Sequence, residues 1–76
     1  MNLYERVVAE LQQVLPKSED AGQFVDRQCR SHLQIEPGAL SAAHIPELAR
    51  WIGVSTGLLV SKEQALLLRQ KIESLH

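Results

Sequence analysis

IPELARWIGVSTGLLV, residues 45–60, is the stretch whose reading decides the architecture. On a helix, with about 100° between residues, Ile45, Leu48, Ala49, Ile52, Thr56, Leu59 and Val60 fall on one face. Trp51, Val54 and Leu58 form a second apolar strip on the other side, and only Glu47 and Arg50 are charged. A helix that is apolar nearly all round must be covered nearly all round. Ala49, Gly53 and Gly57 recur every four residues, and small side chains at that interval make a close-packing groove in which a second helix can approach.

Outward from this stretch, both flanks read as helix. Ser61 and Gln64 form a capping-box pair that starts a last helix. Its core stripe is Ala65, Leu68, Ile72 and Leu75, with Leu66 and Leu67 on either side. Three consecutive leucines offer more apolar surface than a small core can use. Upstream, residues 40–45 lead into the central helix. Ser41 is placed to cap a first turn, and Pro46 is tolerated there because its missing N–H would be unpaired anyway.

Glu36-Pro37-Gly38 has the type II turn signature and divides the chain into two helical pairs. Before it, residues 1–15 read as helix one, with Asn2 as N-cap and Leu3, Val7, Leu11, Val14 and Leu15 as the apolar face. Pro16 closes it. Ser18 is expected to cap helix two, running from about residue 19 to 33, with Ala21, Phe24, Val25, Cys29 and Leu33 facing the core. No segment alternates as a strand does. The expectation is an all-α bundle of four short helices with the Pro37-Gly38 turn between two pairs, in one domain, 1–76.

A domain of this size buries only about 60% of the surface its unfolded chain exposes, so its own core is thin. Cys29 is the only cysteine, so no disulfide can staple the fold, and a lone thiol fits a reducing cytoplasm. The longest uncharged run, residues 51–61, is too short for a membrane span. The net charge is −1, divided as −2 over residues 1–38 (four basic, six acidic) and +1 over residues 39–76 (four basic, three acidic). Neither half is the basic patch that nucleic-acid binding calls for.

Site chemistry is sparse. Cys29 and His32 share a helix face, and with His44 or His76 they would supply some metal ligands, but one Cys-x-x-His pair falls short of a zinc set. A small core residue is the ordinary reading of Cys29. Nucleophilic catalysis would need Cys29 with an activating base, and no paired carboxylates or glycine-rich phosphate loop accompany it. No catalytic residue, metal or cofactor is expected.

Leu48-Ala49-Arg50-Trp51-Ile52-Gly53-Val54-Ser55 resembles the middle of a helix-turn-helix motif, Leu-Ala-x-x-x-Gly-Val-Ser, over eight residues. The resemblance implies a DNA-binding transcriptional regulator using residues 45–62, a turn at residues 53–55 and a recognition helix from Thr56. The chain departs from that pattern where bases would be read. Thr56, Gly57, Leu58, Leu59 and Val60 include no Arg, Lys, Asn or Gln. The favoured expectation is a non-catalytic protein–protein interaction module, an adaptor or regulatory subunit. It would associate through the third and fourth helices, as a homodimer or with another protein, using Trp51, Val54, Leu58 and Leu67.

Overall fold

The computed structural model describes residues 2–75, and four α-helices carry the chain, with no strand among the described residues. The helices are α1 (Leu3–Gln12), α2 (Ala21–Gln28), α3 (Ile45–Thr56) and α4 (Lys62–Glu73). A π-helical turn, Cys29–Leu33, prolongs α2, and two 3-10 turns, Pro37–Ala39 and Ala42–His44, lead on to α3. The protein is thus an all-α bundle. Among the described residues no helix is long and apolar enough to cross a membrane.

α3 is the element the others cover. Ile45, Leu48, Ala49, Ile52 and Thr56 are all fully buried, as the period of the central stretch predicts. The Thr56 hydroxyl donates to the Ile52 carbonyl at 2.7 Å, which pays its polar group back into the helix. Around α3, one hydrophobic cluster gathers Val7 and Leu11 from α1, Phe24 and Val25 from α2, Cys29, and Leu68 and Ile72 from α4. α4 makes the broadest contact with α3, and α1 bridges α2 and α4.

Several boundaries differ from the sequence reading. Met1 lies outside the described residues. α1 ends at Gln12, three residues short of the expected end, in turns closed by Val14 N–H and Leu15 N–H on the Leu11 carbonyl. The cap of α2 is Asp20, whose Oδ1 accepts from the Gln23 N–H at 3.1 Å, and not Ser18. Residues 16–19 are used instead in a turn closed by the Glu19 N–H on the Pro16 carbonyl. The Pro37-Gly38 turn is 3-10 and not type II, because Gly38 keeps a negative-φ conformation. The one positive φ among the described residues belongs to Gln34 (φ 56°, ψ 41°), which ends the π turn at Leu33. An L-residue there costs on the order of 1 kcal/mol. α3 stops at Thr56, so Leu59 and Val60 leave its core face.

Three capping residues hold as read, although at Ser61 only the N-cap half of the expected capping box forms among the described residues. Asn2 Oδ1 accepts from Glu5 N–H (2.8 Å), and Ser61 Oγ accepts from Gln64 N–H (3.2 Å). Ser41 starts the Ala42–His44 turn and donates its N–H to His44 Nδ1 at 3.1 Å. Pro46 sits in the first turn of α3, where no N–H is required.

Candidate functional site

Every large apolar side chain exposed on the described surface falls between residues 54 and 67: Val54 (58%), Leu58 (86%), Leu59 (43%), Leu66 (54%) and Leu67 (59%). The cause is local. α3 runs out of partners at its outer face, the turn after Thr56 lifts Leu58 and Leu59 off the core, and α4 turns only one side of its leucine run inward.

These side chains line three depressions. A cleft of about 410 Å³ between α2 and the end of α3 is bounded by Phe24, Arg27, Gln28, His32, Leu58 and Leu59, with Glu19, Ser31 and Ser55. Its polar floor is tied across the helices, with Ser55 Oγ donating to Gln28 Oε1 at 3.4 Å. A second furrow, between α3 and α4, brings Val54 to Leu66 over Gly53 and Gly57. Leu67 lies apart, beside Val14 and Lys71, between α1 and α4. Of the four residues singled out from sequence, Leu58, Val54 and Leu67 are therefore exposed but line different depressions.

Trp51 takes a different place. It is half-buried, with the His32 ring stacked on it at a 4.0 Å centroid separation and 7° between planes. The Arg50 guanidinium approaches the indole at 5.5 Å, a cation–π distance. The indole Nε1 is buried without an acceptor among the described residues. His32 lies 19 positions away in the chain, so no local pattern announces this stack.

The small-residue groove is filled from within the chain. A Cβ at Gly53 would stand 3.3 Å from Arg69 Cδ and 3.4 Å from Arg69 Cβ, and one at Gly57 would reach Ala65 Cβ at 3.9 Å. Ala49 is fully buried. α4 is thus the helix that the glycines admit.

The other titratable groups are dispersed. Cys29 is fully buried, and burial first, then the Asp26 carboxylate, push its thiol up, with Arg30 opposing weakly. That direction is opposite to the one an activated thiolate requires. His32 is exposed against Trp51, His44 is held by Ser41, and His76 lies outside the described residues. No three metal-ligating side chains converge among the described residues.

Tyr4 donates to Asp26 Oδ1 at 2.7 Å and pins α1 to α2. That hydrogen bond, then burial, then the negative charge of Asp26 push its phenol up to about 12 from 10.0. The neutral phenol is the form the fold favours. The stability that Tyr4 contributes should therefore be fully present below pH 10 and be lost as pH rises from about 10 to 12. Chemical unfolding of Tyr4→Phe in that window is expected to show a shallower decline than wild type. Parallel curves would mean that the bond to Asp26 contributes nothing.

α3 is continuous through Gly53, Val54 and Ser55, where a helix-turn-helix would bend, and Thr56 is its last, fully buried residue. The turn falls after it, and α4 begins at Lys62. Comparison with protein families, curated proteins and solved structures finds no match.

Proposed function

We propose that this protein is a non-catalytic protein–protein interaction module that self-associates through the surface carried by the end of α3, the following turn and α4. The observation that carries the reading is the confinement of all five exposed large apolar side chains to residues 54–67. Loose folding does not account for them. The accessible surface is 4772 Å² for 8.5 kDa, against roughly 4,700 Å² for an ordinary folded monomer of that mass. The chain is collapsed as far as its length allows, and the leucines remain outside. A two-fold homodimer is the commonest way for a small soluble protein to cover such a surface.

A helix-turn-helix regulator has less support, since α3 does not bend at Gly53 and its end offers no base-reading side chain. Catalysis by Cys29 has less still, with the thiol buried and its ionisation opposed.

Sedimentation equilibrium tests the reading on the Trp51→Ala, Leu58→Ala double variant. Loss of the exposed Leu58 side chain and of the half-buried Trp51 indole is expected to weaken association by about 30-fold or more. Leu58→Ala alone should account for much of that, because Leu58 is the more exposed of the two. Unchanged association of the double variant would sink the proposed surface.

A further inference from the structure

The cleft between α2 and α3 carries charges of both signs on its rim, Glu19 and Arg27, and neither is ion-paired among the described residues. Contacts along the cleft fix how the two helices pass each other. Trp51 stacks on His32, Ser55 meets Gln28, and Leu58 and Leu59 share the cleft with Phe24. The two helices therefore run antiparallel, and the leucine wall stands across from Phe24. In chain order Phe24 falls between Glu19 and Arg27 among the residues of the other wall. The result is an apolar patch with a carboxylate on one flank, from the turn before α2, and a guanidinium on the other, from the last turn of α2.

We infer that this cleft is the centre of a two-fold interface with a second copy of the chain, with Leu58 close to the axis and Glu19 of each copy paired with Arg27 of the other. A two-fold axis crossing between the two charges reverses their order in the second copy. Two opposite-sign pairs then form for one operation, as an isologous contact requires. The same operation lays one Leu58–Leu59 wall on the other and covers the most exposed leucine of the chain. The inference rests on the self-association reading, narrows its leucines to Leu58 and Leu59, and adds the α2 wall of the cleft to the surface. Val54, Leu66 and Leu67 lie outside this contact.

Charge reversal tests it, with molar mass and dissociation constant measured by sedimentation for wild type, Glu19→Arg, Arg27→Glu and the double variant. Each single reversal turns two symmetric attractions into two repulsions and is expected to weaken the homodimer about ten-fold. The double variant should return to within about three-fold of wild type, since the pairs reform with signs exchanged. An equimolar mixture of the two single variants should associate more tightly than either alone, because each supplies what the other lacks. This mixing also guards against simple loss of folding, which no second misfolded chain would repair. If both single variants dimerise like wild type, the inference is overturned while self-association through the leucines stands. A monomeric wild type overturns both.

Discussion

Ile52→Ala is expected to destabilise the protein by about 3 kcal/mol, within the range of about 2–5 kcal/mol for truncating a buried isoleucine. Ile52 is fully buried in the middle of α3, and both its neighbours on that face, Leu48 and Thr56, are also fully buried. Truncation removes buried methyl and methylene groups and leaves a cavity that helices on all sides restrain from closing. A chain of this length has a total stability of roughly 4–11 kcal/mol, so the loss is a large share of it. The midpoint of thermal unfolding should fall by about 15 °C, at several degrees per kcal/mol for so small a domain. Val54→Ala on the same helix should change stability by no more than about 0.5 kcal/mol, because Val54 is 58% exposed. Urea denaturation of the two variants side by side measures the difference. Equal midpoints would mean that α3 does not present the face described.

The second large effect is at Gly53, where the side chain of Arg69 from α4 lies against the α-carbon. Gly53→Leu is expected to lower stability by about 2 kcal/mol, since a Cβ there already stands 3.3 Å from Arg69 Cδ and the larger side chain must push Arg69 aside. Gly53→Ala is expected to be nearly neutral. Its single methyl would gain up to about 1 kcal/mol of helix propensity. Against that, the 3.3 Å approach to Arg69 requires a small shift of a flexible side chain. The contrast between the two variants, read by denaturant unfolding, identifies close packing of α4 as the reason for the glycine. Wild-type stability in Gly53→Leu would mean that the groove is empty.

The parts of this architecture that the sequence displays are those governed by helical period. Ile45, Leu48, Ala49, Ile52 and Thr56 are recognised by spacing alone, and so are Ala65, Leu68 and Ile72 on α4, because burial follows the 3.6-residue repeat wherever the helix persists. The parts it conceals are decided by competition between near-equal local choices or by distant contacts. Ser18 and Asp20 are both good caps two residues apart, and the turn at residues 16–19 uses up the first. Gly38 permits a type II turn but does not demand one, and the chain places its left-handed residue at Gln34 instead. Leu59 and Val60 continue the period of α3 on paper, yet the helix ends at Thr56, and the leucine joins the surface.

The candidate site divides in the same way. Leu58 and Leu67 are legible as surplus, because the core stripes of α3 and α4 are complete without them. The role of Trp51 is not, since its half-buried state depends on His32 arriving from the far side of the Pro37-Gly38 turn. Nor is the cleft, whose walls come from residues some thirty positions apart in the chain and whose floor is a glutamine–serine bond.

Self-association through the exposed leucines is the claim on which the functional account depends. It is tested most directly by the molar mass of the wild-type protein in solution, from light scattering after size exclusion at low micromolar concentration. Twice the chain mass is expected, 2 × 8.5 = 17.0 kDa. A mass of 8.5 kDa that persists as concentration is raised would contradict it.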